Sequence, residues 1–177
     1  MKKAIFLDRD GIINIDKEYV FKIEDFEFVK NIFPTLRYLQ DLDFLLFIVT
    51  NQSGIGRKYY TEKDFITLTD WMLEKFNEEQ IFITSIEYCP HHPDDDCKCR
   101  KPKTGMIDNV LNKFDIDLTK SWLIGDRMSD INCGINAGIK NIIKIDNNLK
   151  EINFSEYYYE CEDINFVKEI IMNQGKI

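Results

Sequence analysis

Short apolar runs that alternate with segments of helical spacing constrain the fold of this chain more than any other feature of its sequence. The runs are KAIFLD, FLLFIVTN, ITSIEYC, SWLIGD and NIIKID, and their near-continuous hydrophobicity is typical of buried strands. Apolar residues recur with helical spacing over about residues 31–42, 62–79, 105–114 and 129–137. Strand and helix therefore alternate, which predicts an α/β fold: a doubly wound, mainly parallel sheet with helices on both faces.

The alternation of strands and helices weakens beyond Asp146. We predict a last helix from Ile164 to Met172, and we expect the YYYE segment before it to pack at the edge of the sheet. A chain of 177 residues that is 44% hydrophobic can bury one substantial core but not two comfortable ones. No repeat, low-complexity tract or linker interrupts it. We predict a single domain over residues 1–177.

The charge balance limits the partners of the protein. A formal net charge of −8 provides no general field for a nucleic-acid backbone, so an anionic ligand must be small and bound by a few placed cations. No apolar run approaches the ~20 residues of a membrane span, and the opening MKKAIFLDRD turns acidic before a signal-peptide core forms. We expect a cytoplasmic monomer without nucleic-acid or membrane partners.

Polar residues follow the predicted strands at the edge where open parallel sheets bind ligands. Asp8 and Asp10 could face a common cleft if the chain leaves strand geometry, which Gly11 would permit. The other strand ends carry Thr50 with Asn51, Cys89 with His91, and Gly125 with Asp126.

Two carboxylates at one strand end favour phosphoryl chemistry. A carboxylate attacks phosphorus only when a hard cation screens the phosphate, and Asp126 is the natural third oxygen ligand beside Asp8 and Asp10. Asp10 suits general acid and base catalysis, while Thr50 and Lys101 would stabilise the phosphoryl group in the transition state. Alone, DRDG is equally compatible with aspartates that end a strand and cap a turn. A phosphatase site is favoured because four such motifs occur in order along the chain: DRDG, TNQSG, RKP and GDRMSD.

A polar loop at 89–103 holds three of the five cysteines and both histidines. Cys89, His91, Cys97 and Cys99 form a complete tetrahedral set for structural zinc, the alternative being free thiols beside a turn. His91 is preferred to His92 because the Cys-x-His and Cys-x-Cys pairs then mirror each other. A closed loop would also position the cations that follow Cys99, Arg100 and Lys101, over the cleft.

Up to about Asp146 the sequence resembles the haloacid-dehalogenase-like phosphatases, in the strand ending D-x-D-G, the strand ending in Thr, the Lys before a helix and the strand ending G-D-x-x-x-D. The resemblance implies a magnesium-dependent phosphatase without a large cap domain. In such an enzyme Asp8 is the nucleophile, Asp10 the general acid and base, and Thr50 and Lys101 the phosphoryl stabilisers. It also implies that magnesium is bound by Asp8, by the backbone carbonyl of Asp10 and by Asp126, while Asp130 orients the metal site.

The zinc loop narrows the resemblance to two groups, the heptose 1,7-bisphosphate phosphatases and the histidinol-phosphate phosphatases. The short separation between His91 and Cys97 is like the second group. Segments 14–20, 26–28, 51–57, 60–62 and 88–93 look like the first, which is our preferred interpretation. The resemblance then implies removal of the 7-phosphate on the way to ADP- or GDP-heptose. Two other interpretations are disfavoured. A phosphomutase usually needs a cap domain, which is not expected here, and a non-catalytic zinc module would lack a motif residue, whereas none is missing.

A second phosphate on the substrate needs cations away from the reacting centre, and the candidates are Arg57, Arg100 and Arg127. An isolated arginine is more often solvated at the surface, and Arg127 stands where the heptose group often has lysine. The predicted flap beside the site, residues 16–19, could bind sugar hydroxyls. The predicted substrate-binding residues are Asp16, Lys17, Glu18, Tyr19, Asn51, Gln52, Ser53, Arg57, Arg100 and Arg127.

Overall fold

The computed structural model describes residues 1–149 and 152–174, so the predicted domain range extends beyond the described residues at 150, 151 and 175–177. Seven strands form one sheet in the order β3-β2-β1-β4-β5-β7-β6. Neighbouring strands are parallel except β6 and β7 at one edge, which confirms the mainly parallel sheet. The strands are β1 Lys3–Leu7, β2 Phe44–Asn51, β3 Ile83–Cys89, β4 Trp122–Gly125, β5 Asn141–Ile145, β6 Asn153–Phe154 and β7 Tyr159–Cys161.

The predicted helices are all found, with small differences at their ends. The helices are α1 Ile32–Asp41, α2 Ser53–Gly56, α3 Glu62–Glu78, α4 Gly105–Leu111, α5 Met128–Ala137 and α6 Phe166–Gln174, with 3₁₀ turns at Ile23–Asp25 and Leu118–Lys120. Helix α4 ends three residues before the predicted end at 114. Helix α2 and strands β6 and β7 were not predicted, because elements of two to four residues are too short to show periodicity. Residues 157–160, predicted as edge packing, lead into β7, where Tyr159 packs against the core.

Two buried clusters lie on opposite faces of the sheet. On β1, Ile5 and Leu7 belong to the cluster beneath α1, α3 and α6, whereas Ala4 and Phe6 belong to the cluster beneath α4 and α5. Successive side chains of a strand point to opposite faces, so a strand buried on both faces must be apolar throughout. This double burial is why the central runs read as continuous hydrophobic stretches.

Among the described residues, no helix is long and apolar enough to cross a membrane.

A residue of the interior strand β2 tests this core. Phe47 is completely buried, its ring stacks on Phe6 at 5.4 Å between centroids, and it meets Phe114 edge-on at 5.2 Å. We predict that Phe47→Ala lowers the free energy of unfolding by about 3–5 kcal/mol, since it leaves a cavity in a packed cluster. Urea denaturation measures this. The control Phe154→Ala removes a ring that is 66% exposed, and equal losses from the two variants would contradict the assignment of the core.

Candidate active site

A tight turn directly after β1 brings the two aspartates of DRDG into the cleft. The carbonyl of Arg9 accepts hydrogen bonds from the backbone N–H groups of Ile13 at 2.8 Å and Asn14 at 3.1 Å, so the chain reverses at once. Gly11 has φ +86°, and a Cβ there would lie 2.3 Å from an Asp126 carboxylate oxygen. Only glycine lets the turn approach the end of β4 this closely. The expected departure from strand geometry at Gly11 is confirmed.

A buried lysine links the first carboxylate to the helix after β4. Lys101 Nζ lies 2.9 Å from Asp8 Oδ1 and 2.7 Å from Asp130 Oδ1, and all three side chains are largely removed from solvent. Burial raises the pKa of Asp8 to about 7, and Lys101 opposes this rise while Asp130 and Asp10 add to it. Burial also disfavours the charge of Lys101, but Asp8 and Asp130 outweigh it and raise the lysine pKa above its ordinary value. The ammonium therefore stays charged beside the nucleophile candidate.

Contacts with β2 fix the position of Lys101. Its Nζ donates to the Val49 carbonyl at 2.7 Å. The Asn51 side chain accepts from the Lys101 backbone N–H at 3.0 Å and donates to its carbonyl at 3.2 Å. Asn51, predicted to bind substrate, thus also holds the backbone of the lysine.

Three donor side chains surround the second carboxylate. Asp10 accepts from Arg9 Nη2 at 2.9 and 3.0 Å, from Asn14 Nδ2 at 2.9 Å and from Gln52 Nε2 at 3.1 Å. Arg9 is only 2% exposed, and its Nη2 also donates to the Val20 carbonyl at 2.8 Å. Arg9 was not among the predicted site residues, although its place between two aspartates in DRDG was a visible signal.

Three carboxylates lie together in an arrangement that fits a divalent cation: Asp8 directly after β1, Asp126 directly after β4, and Asp130 on α5. Oxygen atoms of Asp8, Asp126 and Asp130 lie within 4.8 Å of one another. Burial, then the charge of Asp130, raises the pKa of Asp126 to about 6, and its Oδ1 is buried without a hydrogen-bond partner in the described part of the chain. A hard cation such as Mg²⁺ prefers carboxylate oxygens as ligands. The clustered oxygens of these three aspartates, one of them desolvated and without a hydrogen-bond partner, fit that preference.

The sulfur and nitrogen atoms of the predicted zinc loop also converge. Cys89 Sγ lies 3.6 Å from Cys97 Sγ and 3.5 Å from His91 Nδ1, which lies 3.2 Å from Cys99 Sγ. Tetrahedral zinc at ordinary bond lengths gives ligand separations of roughly 3.5–3.8 Å, which two of these distances match, while the 3.2 Å between His91 and Cys99 is slightly shorter. His92 is directed elsewhere, because its Nδ1 accepts from the Asp94 backbone N–H at 3.3 Å. The cluster is thus compatible with zinc and contains His91 rather than His92.

A cavity of about 400 Å³ lies over the carboxyl ends of β1 and β2. It is also lined by Tyr60, Pro93, Ser129 and Asp130, which the sequence analysis did not place among the residues that bind substrate. Lys17 lies outside it, since its Nζ contacts Glu27 at 3.1 Å and the Asp25 carbonyl at 3.2 Å. The predicted catalytic and substrate-binding residues that line it are Asp8, Asp10, Asp16, Glu18, Tyr19, Thr50, Asn51, Gln52, Ser53, Arg57, Arg100, Lys101 and Arg127.

Arginines and a flap border the same cavity. Arg57 Nε and Arg100 Nη1 are buried without hydrogen-bond partners among the described residues, so both have unused donors. Arg127 pairs with Asp16 of the flap at 2.6 Å, and Tyr19 of the flap meets Tyr59 edge-on at 4.8 Å between ring centroids. The cavity therefore combines carboxylates and a lysine with guanidinium groups that can receive an anion.

Comparisons with known proteins agree with this geometry. A family profile described as HAD-hydrolase-like matches residues 98–143. The D-glycero-α-D-manno-heptose-1,7-bisphosphate 7-phosphatase of Campylobacter jejuni is 49% identical over 168 residues, which are 94% of this chain and 96% of that protein. The D-glycero-β-D-manno-heptose-1,7-bisphosphate 7-phosphatase of Helicobacter pylori is 44% identical over 96% of this chain and 97% of that protein.

A solved structure extends the similarity to three dimensions. The D,D-heptose 1,7-bisphosphate phosphatase of B. bronchiseptica, complexed with magnesium and phosphate, superposes with a TM-score of 0.86 at 28% identity and covers 97% of this chain and 99% of that one. The identity to curated relatives over nearly their whole length, together with the shared fold, establishes the family. This chain belongs to the haloacid-dehalogenase-like hydrolases, within the group of the heptose 1,7-bisphosphate phosphatases.

Proposed function

We propose that this protein is a magnesium-dependent phosphoric monoester hydrolase that removes the 7-phosphate of D-glycero-D-manno-heptose 1,7-bisphosphate. The observation that carries the proposal is a single cavity that combines the Asp8–Lys101 contact with the unpaired donors of Arg57 and Arg100. A bisphosphate fits this combination because one phosphate must meet the nucleophile while the other needs cations. Relatives named for the same reaction support the substrate. They do not favour the alternative, histidinol phosphate.

In the first step, a carboxylate oxygen of Asp8 attacks the phosphorus, and the bond between phosphorus and the sugar oxygen breaks. Asp10, carrying a proton, gives it to the departing oxygen, so the heptose leaves as an alcohol. Lys101 and the Thr50 hydroxyl stabilise the charge on the transferring phosphoryl group. Asp8 is left as an aspartyl-phosphate.

In the second step, Asp10, now a carboxylate, takes a proton from water as the water attacks the aspartyl-phosphate. The bond between Asp8 and phosphorus breaks, which releases inorganic phosphate, returns Asp8 to a carboxylate and leaves Asp10 protonated for the next cycle. Asp8, Asp126 and the Asp10 carbonyl would hold Mg²⁺, which supplies screening of the phosphate charge. Asp130 then fixes the position of Lys101 relative to the other carboxylates, which its 2.7 Å contact with Lys101 supports.

The remaining phosphate binds at the cationic rim. Arg57, Arg100 and Arg127 offer charged donors there, and Asp16, Glu18 and Tyr19 of the flap face the sugar. The product keeps its 1-phosphate and would serve as a precursor of ADP- or GDP-heptose. Zinc at the cysteine–histidine cluster is structural in this proposal, because four protein ligands leave no position for water.

We also propose that residues 1–177 act as a single domain, and as a cytoplasmic monomer without nucleic-acid or membrane partners. One continuous sheet through the seven strands of the described residues supports the first statement, and the net charge of −8 supports the absence of a nucleic-acid partner.

The substrate is tested by phosphate release from both anomers of heptose 1,7-bisphosphate and from histidinol phosphate at matched concentrations. We expect a higher kcat/KM for at least one heptose anomer, because only a bisphosphate engages both ends of the cavity. Faster turnover of histidinol phosphate would refute the substrate assignment.

The nucleophile is tested in the same assay by Asp8→Asn. We expect turnover to fall at least about 10³-fold, because the amide oxygen is a far poorer nucleophile. Asp41→Asn, at an exposed aspartate of α1, is the matched control and should retain full activity. Undiminished phosphate release by Asp8→Asn would exclude the aspartyl-phosphate route.

Magnesium binding should depend on pH in a defined direction. The pKa values of Asp8, about 7, and Asp126, about 6, are raised in the folded protein, so without metal these groups stabilise it below pH ~4 and lose that contribution as pH rises to ~7. Mg²⁺ competes with the same protons, and we expect it to raise Tm more at pH 8 than at pH 5. Thermal unfolding with and without Mg²⁺ measures this. Asp126→Asn should remove most of the difference; an equal rise in Tm at both pH values would be inconsistent with the site.

The zinc proposal predicts that a zinc-selective chelator, added with Mg²⁺ kept in excess, lowers both Tm and turnover. We expect Tm to fall by ~10 °C or more, since zinc binding contributes directly to the folding of such loops. Turnover should fall because Arg100 and Lys101 follow Cys99 directly. Cys99→Ser should have a low Tm that the chelator no longer changes, whereas Cys161→Ser, outside the cluster, should still respond. Full activity in a folded sample verified to be zinc-free would eliminate the proposal.

A further inference from the structure

A chain of hydrogen bonds leads from a buried tyrosine to two residues of the proposed catalytic machinery. Tyr60 donates to Gln52 Oε1 at 2.6 Å, and Gln52 Nε2 donates to Thr50 Oγ1 at 2.9 Å and to Asp10 Oδ2 at 3.1 Å. We propose that Gln52, held by Tyr60, is a positioning residue that directs the Thr50 hydroxyl at the transferring phosphoryl group. The inference rests on the proposed function and adds two residues that act through Thr50 rather than on the substrate.

The orientation of the Gln52 amide follows from the chemistry of its neighbours. In the second proposed step Asp10 is a carboxylate, which can only accept hydrogen bonds, so the NH₂ end of the Gln52 amide must face its Oδ2. The carbonyl end then faces Tyr60, whose hydroxyl must be the donor. Both amide hydrogens and the carbonyl oxygen are thus used within the protein, and Gln52 is only 2% exposed. Although predicted to bind substrate, its side chain has no hydrogen left to donate.

This orientation determines what the Thr50 hydroxyl can do. Because Thr50 Oγ1 accepts from Gln52, its own hydrogen is directed away from the amide. No acceptor for that hydrogen occurs among residues 1–149 and 152–174, although Thr50 is only 1% exposed and lines the cavity. A phosphoryl oxygen in the cavity would supply the acceptor. A donor fixed in advance of the reaction stabilises the transition state without reorganisation.

Several features hold Tyr60 as the donor. Its ring stacks on Phe21 at 5.0 Å between centroids with an interplanar angle of 10°, and the side chain is 6% exposed. Burial raises the pKa of Tyr60 to about 12, so the phenol keeps its proton at neutral pH. The ring lies against Gly54, where a Cβ would fall 2.1 Å from Tyr60 Cε1. A glycine at position 54 is therefore required for Tyr60 to reach Gln52.

The backbone of Gln52 is anchored independently of its side chain. Its N–H donates to the carbonyl of Cys89 at 2.8 Å, and although Gln52 precedes α2, its side chain does not cap that helix. The side chain is thus free of the helix and is committed to Thr50 and Asp10. Removing it should leave the local backbone in place.

The test compares kcat and KM for heptose 1,7-bisphosphate in Gln52→Leu, which keeps the bulk and removes the polar atoms, and in Tyr60→Phe. We expect kcat to fall ~10-fold in Gln52→Leu and ~3-fold in Tyr60→Phe with KM within ~2-fold, a fraction of the 10²–10³ typical for loss of a whole transition-state donor. Tyr157→Phe, at an exposed tyrosine that does not line the cavity, is the matched control and should behave as the unsubstituted protein.

A double-mutant cycle separates positioning of Thr50 from general disturbance. If Gln52 acts through the Thr50 hydroxyl, adding Gln52→Leu to Thr50→Val should lower kcat by less than ~2-fold. If it supports the structure alone, the full ~10-fold loss should persist in that background. Persistence of the loss, or a rise in KM with unchanged kcat, which would make Gln52 a substrate contact, overturns the inference.

The same variants are also assayed with p-nitrophenyl phosphate. This second substrate tests the role of Gln52 even if the heptose bisphosphate is not the substrate. If the unsubstituted protein cleaves p-nitrophenyl phosphate but not the heptose bisphosphate, the proposed substrate fails while the cycle still decides the role of Gln52. If both substrates are cleaved and Gln52→Leu retains full kcat on each, the inference fails and the proposed function stands.

Discussion

The contact of Lys101 with Asp8 and Asp130 is the interaction on which the rest of the site depends. An ammonium group can be buried this deeply only when anions or carbonyl dipoles replace its water, and here two carboxylates and the Val49 carbonyl do so within 2.9 Å. These partners come from the end of β1, from β2 and from α5. The lysine therefore joins three segments that are distant in sequence. Without it, Asp8 and Asp130 would be like charges facing each other in a dry interior.

The two aspartates of DRDG lie in contrasting surroundings although one residue separates them. Asp8 faces the buried Lys101 and the carboxylates of Asp126 and Asp130, whereas Asp10 is surrounded by donors from Arg9, Asn14 and Gln52. Carboxylates in different environments are suited to different tasks, one as nucleophile and the other as proton carrier. The turn at Gly11 makes this contrast possible, because it directs neighbouring residues of the chain to different partners.

Much of this arrangement is visible in the sequence, for physical reasons. The sheet follows from apolar runs buried on both faces, and the cysteine–histidine cluster from soft ligands at close spacing. What the sequence does not show is which side chains contact each other across strand ends. Arg9 was overlooked because a charged residue in a turn is normally solvated, yet it is buried beside Asp10. Lys17 was assigned to the cleft with its neighbours, but the flap turns it toward Glu27. Asn51 and Gln52 were assigned to substrate, and their amides contact Lys101, Asp10 and Thr50.

The flap contrasts with this rigid interior. Asp16 and Tyr19 contact the body of the protein through a partly exposed ion pair with Arg127 and an edge contact with Tyr59, and interactions of this kind contribute little to stability. Asp8, Asp10 and Asp126, by contrast, follow strands of the central sheet. Substitutions in the flap would therefore alter the fit of a sugar at small cost in folding free energy. Such a division allows a lineage of these enzymes to change the alcohol it recognises while the phosphoryl chemistry stays the same.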